Sequence, residues 1–293
     1  MKLNFVKNVT IVFVLILAGG SVLAQNEDGQ IILEKSMELL NQGNIKAALS
    51  SLNYGIKESP NFVPLYLQRG IIMGMQGKFE DALSDFDKAI ELDPGNADAY
   101  YSHGLANSKM GQSNEAIRDY SQTVKIDSNY APAYYNRGLI YFGRLKYGVA
   151  VEDFQMAIKA QPEYTKAYYN LGLSFDALGN SDMAKLNYEM AINSDPSFSD
   201  AYYNLGILYY SKKDYEKGID LFKKLLAYEP KNSTGYYNLA IGYEFIRDFL
   251  LARENFLKFI EFADSSNSEE IADLKSNKIP QLERKLDVAG IGY

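Results

Sequence analysis

Two residue types bound the chemistry open to this chain. His103 is the only histidine, and there is no cysteine. Disulfides, thiolate zinc sites and a cysteine nucleophile are thereby excluded, as is any two-histidine metal arrangement within one chain. Acidic residues are plentiful, and paired carboxylates can act as acid and base. Their spacing here follows solvated helix faces and marks no such pair. The string Asp93-Pro94-Gly95-Asn96-Ala97-Asp98 lacks the alternating ligands and distal Glu of a calcium loop. The expectation is a protein that is not an enzyme and needs no cofactor or metal.

Two constellations remain. Arg69, His103 and Arg137 stand 34 residues apart, and Asp85, Asp119 and Asp153 each follow sixteen residues later. One reading is a basic track for an acidic ligand. Further along, however, Leu171, Leu205 and Leu239 take the basic position, and Asn187, Leu221 and Asn255 replace the acids. Base and acid appear together and vanish together, which favours an ion pair between two helices. The second constellation is the dipeptide Tyr-Asn at Tyr135-Asn136, Tyr169-Asn170, Tyr203-Asn204 and Tyr237-Asn238, again every 34 residues.

The elements that must position these residues repeat with the same period. Gly70, Gly104, Gly138, Gly172 and Gly206 form one series, continued by Ser36 and Ala240. Ala48, Ala82, Ala116, Ala150, Ala184, Gly218 and Ala252 form a second. Pro60, Pro94, Ser128, Pro162, Pro196 and Pro230 form a third. The units run 29–62, 63–96, 97–130, 131–164, 165–198, 199–232 and 233–266. In the fifth, Tyr168, Leu171, Gly172 and Phe175 lie at helical spacing over 166–178. Gly179-Asn180 stops that helix, Ala184, Tyr188, Ala191 and Ile192 mark a second, and Pro196 follows its end. Two helices joined by so short a turn pack antiparallel. A mid-helix Gly costs roughly 0.5–1 kcal/mol against Ala, so its recurrence implies close packing.

This pattern resembles the tetratricopeptide repeat family. Tyr168-x2-Leu171-Gly172-x2-Phe175, Ala184-x3-Tyr188 and Pro196 match its W-x2-L-G-x2-Y, A-x3-F and P positions. Tyr66, Tyr100, Tyr134, Tyr168, Tyr202 and Tyr236 take the Trp position, in a chain with 24 Tyr and no Trp. The resemblance covers about 29–266. It implies an all-α, right-handed superhelical α-solenoid of seven helix hairpins. Ile32 and Ser36 make the first unit atypical, and Leu145 replaces a turn glycine, so an irregular turn is expected there. Over 268–287, Ile271, Leu274, Ile279, Leu282 and Leu286 suggest a capping helix over Phe256, Phe259 and Phe262, kinked near Pro280. Residues 267–293 thus hold the cap and, from 288, a loose tail.

In similar arrays the Tyr-Asn positions line the concave face. There Asn136, Asn170, Asn204 and Asn238 would pair with a peptide backbone of any sequence, since an amide both donates and accepts. Tyr135, Tyr169, Tyr203 and Tyr237 would supply rigid contact area. Leu139, Leu173, Ile207 and Ile241 would add an apolar floor. The other reading is that Tyr-Asn is common filler, solvated and unused.

The N-terminus reads as an export signal. Lys2 and Lys7 precede the apolar run 9–18, and Val22-Leu23-Ala24 offers a cleavage site after Ala24. The run is too short to span about 30 Å of hydrocarbon, which takes roughly 20 residues. Cleavage of 1–24 would therefore leave a protein without membrane insertion, periplasmic or secreted. Lys2 and Lys7 are the only charges removed, so the net charge moves from -7 to -9. Such acidity opposes nucleic-acid binding. The expected function is a non-catalytic adaptor or scaffold of the envelope or secreted space that holds a peptide or helix of a partner protein. The alternative is a self-associating spacer that acts through its convex or terminal surfaces.

Overall fold

The computed structural model describes residues 23–293, so the basic stretch and apolar run of the expected export signal lie outside the described residues. Among the described residues there are helices and no strand, as the all-α reading requires. None of these helices is long and apolar enough to cross a membrane. The chain forms two compact units, one ending at Met110 and one running from Gly111 to Tyr293.

The first unit contains hairpins α1/α2 (Leu23–Asn41, Ile45–Glu58) and α3/α4 (Val63–Met75, Phe79–Leu92), then helix α5 (Ala97–Lys109). The second unit opens with α6 (Ser113–Ile126). Hairpins α7/α8 (Ala131–Gly143, Tyr147–Ala160) and α9/α10 (Thr165–Ala177, Ser181–Ser194) follow. Then come α11/α12 (Ser199–Ser211, Tyr215–Tyr228) and α13/α14 (Ser233–Phe245, Phe249–Phe262). The unit closes with α15 (Ser268–Asp273) and α16 (Ile279–Val288).

Local chemistry sets these boundaries. Asn44, Asn96, Asn180, Asp214, Asn232 and Asp248 each accept a backbone N–H three residues on, capping a helix start. Pro64 and Pro132 sit in the first turn of α3 and α7, where no amide is missed. The Tyr at the Trp position ties consecutive hairpins together. Tyr66, Tyr202 and Tyr236 donate their hydroxyls to the carbonyls of Pro60, Pro196 and Pro230 at 2.9–3.1 Å.

The recurrent glycine has the packing reason that its sequence cost implied. A methyl added at Gly70, Gly138, Gly172 or Gly206 would lie 2.6–2.9 Å from the ring of Phe86, Phe154, Tyr188 or Phe222. Each ring comes from the second helix of the same hairpin and fills the space that a side chain would take.

Leu145 does not disturb its hairpin. It takes φ 60 itself, the conformation that Gly77 and Gly179 take in their own turns. The amides of Leu145 and Lys146 donate to Phe142 and Tyr141, as those of Gly179 and Asn180 do to Asp176 and Phe175. Lys213 and Arg247 hold the same left-handed position at φ 61 and 65.

The cap is continuous through residues 274–278, where the helix widens by one residue per turn just before Pro280. That wider turn accommodates a ring that would otherwise clash with the preceding carbonyls. Leu274, Ile279 and Leu282 join Phe256 and Phe259 in one buried cluster. Phe262 instead stacks on Tyr236, with ring centroids 5.5 Å apart. Gly290 at φ 70 and the amides of Gly290 and Ile291 close the end of α16 onto Asp287 and Leu286. Tyr293 then lies under Arg253 at 4.7 Å.

Candidate functional site

The eight tyrosine and asparagine residues all lie in the second unit, on α7, α9, α11 and α13, and all are half-buried. Each tyrosine ring packs on aromatic neighbours. Tyr135 lies 4.9 Å from Tyr164 and 5.8 Å from Phe154. Tyr169 lies 5.2 Å from Phe198, Tyr203 5.9 Å from Phe222, and Tyr237 5.2 Å from Phe259. Burial pushes the phenols of Tyr135, Tyr169 and Tyr237 above their ordinary range, so they remain protonated donors.

Two of the tyrosines are joined to the asparagine of the next hairpin. Asn170 Nδ2 donates to Tyr135 Oη at 3.2 Å and Asn204 Nδ2 to Tyr169 Oη at 2.8 Å. Asn170 also donates to the Lys166 carbonyl. The series changes at its end, where Asn238 gives its amide to the Thr234 carbonyl at 2.9 Å. No such bond joins Tyr203 to Asn238 among the described residues. Asn136 lies at the matching position on α7.

These pairings narrow what the face can do. Asn170 gives both amide hydrogens to the fold, and Asn204 and Asn238 give one each. Among the described residues, Oδ1 of Asn170, Asn204 and Asn238 accepts no hydrogen bond. The hydroxyls of Tyr135 and Tyr169 accept from asparagine and retain their own proton for donation. Each joined pair therefore offers at least one acceptor and one donor, the complement of a peptide N–H and C=O. Leu139 and Ile207 beside them are 36% and 38% exposed, whereas Leu173 and Ile241 are half-buried.

The basic series is structural in the two hairpins where both partners lie in one unit. Arg69 grips Asp85 with both prongs, Nε to Oδ2 at 2.8 Å and Nη2 to Oδ1 at 2.5 Å. Arg137 holds Asp153 in the same way at 2.9 and 2.6 Å. The remaining nitrogen of each arginine reaches back one hairpin, to Asn53 at 2.7 Å and Ser121 at 2.9 Å. Burial pushes the Asp153 carboxyl up, and Arg137 opposes that shift. His103 lies in the first unit and Asp119 in the second; His103 Nε2 is 3.4 Å from Asp87. Where Leu replaces Arg, Asn187 and Asn255 turn back to their own helix and donate to Met183 and Leu251.

One residue that positions the fourth rung escaped the sequence reading. Tyr210 inserts between Gly218 and Gly242, so closely that a methyl on either glycine would overlap its ring. Its hydroxyl donates to the Asn238 carbonyl at 3.0 Å. The visible signal was Gly218, which breaks an otherwise all-alanine series.

Comparison with known proteins agrees with the repeat fold. Family models described as TPR repeat match 75–111 and 108–143, and models described as tetratricopeptide repeat match 131–164, 165–198 and 199–232. Together they span more than half of the chain. No curated protein gives a significant match. Among solved structures, the crystal structure of MamA is 32% identical, covers 56% of this chain and 96% of its own, and superposes with a TM-score of 0.53. YrrB, described as a TPR protein with an unusual peptide-binding site, is 23% identical over 63% of this chain and 95% of its own, at 0.54. The C-terminal part of a TPR repeat-containing protein from Cytophaga hutchinsonii is 15% identical over 81% of this chain and 98% of its own, at 0.68. The periodic glycine, alanine and proline positions, the paired helices built on them and these matches lead to one conclusion: the chain belongs to the tetratricopeptide repeat family.

Proposed function

We propose that this protein is a non-catalytic adaptor of the cell envelope or secreted space. It holds an extended segment or helix of a partner protein against the tyrosine–asparagine face of α7, α9, α11 and α13. The tetratricopeptide fold supports a protein or peptide partner. The observation that carries the finer reading is the joined pair, Asn170 with Tyr135 and Asn204 with Tyr169, which leaves a matched acceptor and donor at these two rungs. Helices in such stacks lie about 8–10 Å apart. An extended chain advances roughly 3.3 Å per residue, so a bound peptide would meet an asparagine about every third residue. Selectivity would then come from the tyrosine rings and the apolar floor. YrrB's described peptide-binding site is consistent with this use of the fold. The envelope setting rests on the export signal read from Lys2, Lys7 and the apolar run that follows.

The rival reading, assembly through another surface, draws on Leu186 and Met190. They lie one turn apart on α10 and are 49% and 37% exposed. A photoreactive residue placed at Ile207 and, separately, at Leu186 distinguishes the two in envelope preparations. Crosslinks to a partner from Ile207 and none from Leu186 are expected. Crosslinks from Leu186 alone would overturn the proposal.

A further inference from the structure

A cleft of about 960 Å³ in the second unit lies where α16 faces the end of α13 and the start of α14. Its charge is unlike that of the chain. Arg247, Lys278, Arg284 and Lys285 line it, with Glu244 as the one carboxylate, so it carries a surplus of three positive charges in a chain of net charge -7. Glu244 is held between Lys278 at 2.7 Å and Lys285 at 3.8 Å. Lys285 also lies 4.6 Å above the Phe249 ring. The two arginines are exposed, and neither meets a carboxylate among the described residues. Ile241 and Phe249, both half-buried, provide an apolar floor between these charges.

We propose that this cleft takes an acidic peptide segment of a partner protein, with an apolar side chain on the floor and flanking carboxylates on Arg247 and Arg284. Guanidinium forks match carboxylates in two parallel hydrogen bonds. A cleft with a surplus of one sign raises the local potential even on an oppositely charged molecule. Charge complementarity therefore selects an acidic occupant. The concave shape and the acidic remainder of the chain oppose a flat anionic bilayer, and three surplus charges are few for a phosphate backbone. The site uses its own cations and does not depend on the tyrosine–asparagine face, with which it shares only Ile241.

The test measures fluorescence anisotropy with a rhodamine-labelled peptide, Glu-Asp-Leu-Phe-Asp-Glu, and its counterpart carrying Gln and Asn in place of the acids. The full chain should bind the acidic peptide about tenfold or more tightly than the amide peptide at low salt. The double variant Arg247→Gly/Arg284→Ala should lose about tenfold or more. Arg247→Gly suits this purpose because glycine relaxes the turn that Arg247 holds at φ 65. The variant Asn136→Ala/Asn170→Ala/Asn204→Ala/Asn238→Ala should bind the peptide as the parent does. Equal binding of the two peptides, or full binding by the arginine double variant, would overturn the proposal. So would loss of binding in the asparagine variant alone, which would assign the peptide to the other face. Phosphatidylserine vesicles that retain the chain while the acidic peptide does not bind would overturn it in favour of a membrane surface.

Discussion

Adjacent hairpins α7/α8 and α9/α10 share one backbone plan, with helices of 13 and 14 residues, yet they solve three local problems differently. The first joins its helices through Arg137 and Asp153; the second has Leu171 and Asn187 at those positions, and Asn187 bonds within its own helix to Met183. The first packs Phe154 on its glycine; the second packs Tyr188, whose buried hydroxyl has no hydrogen-bond partner. The first turns on Leu145 at φ 60 and the second on Gly179 at φ 76. The plan therefore requires a small residue facing an aromatic ring and a left-handed turn, and it leaves the chemistry of the remaining contacts open. Because each unit touches only its neighbours, such exchanges remain local.

The comparison is broken most severely at the ion pair. Asp153→Ala should leave Arg137 buried without its partner and cost about 3–5 kcal/mol. The double change Arg137→Leu/Asp153→Asn copies the neighbouring hairpin and should cost about 1 kcal/mol or less, since apolar replacement of a buried pair is often neutral. Urea midpoints of the two variants check the contrast, and equal losses would refute it. Next comes Gly172→Ala, whose new methyl would lie 2.6 Å from Tyr188 Cε1. Overpacking of this kind should lower stability by about 1–3 kcal/mol, again seen in urea. Tyr188→Phe, which copies Phe154, should have the opposite sign. It removes a hydroxyl buried without a partner and should raise stability by about 1 kcal/mol. The smallest effect is expected at the turns. Leu145→Gly should stabilise by about 0.5–1 kcal/mol and Gly179→Leu should destabilise by a similar amount, each read as a shift in melting temperature.

What was legible in the sequence was whatever repeats or covaries across repeats. Gly70 to Gly206 and the proline series revealed the hairpins, because each unit needs the same close approach and the same helix stop. Arg69 with Asp85 and Arg137 with Asp153 were readable because Leu171 and Asn187 replace both members together. The bonds from Asn170 to Tyr135 and from Asn204 to Tyr169 were not. Tyrosine and asparagine both persist through four units, so no substitution betrays their contact. The left-handed Leu145 was misread because residue type favours glycine there while the hairpin geometry overrides that preference. The helix cap at Gly290 and the Arg247–Arg284 cleft each occur once, so periodicity carries no signal for them.

The central claim is that the tyrosine–asparagine face holds the partner, and one affinity tests it most directly. The protein that crosslinks from Ile207 should be titrated calorimetrically against the parent chain and against the variant with Asn136, Asn170, Asn204 and Asn238 all changed to Ala. Four contacts at about 0.5–1.5 kcal/mol each predict binding weaker by about a hundredfold or more, with helix content by circular dichroism little changed. Unchanged affinity in a folded variant would contradict the account and move the binding site to another surface.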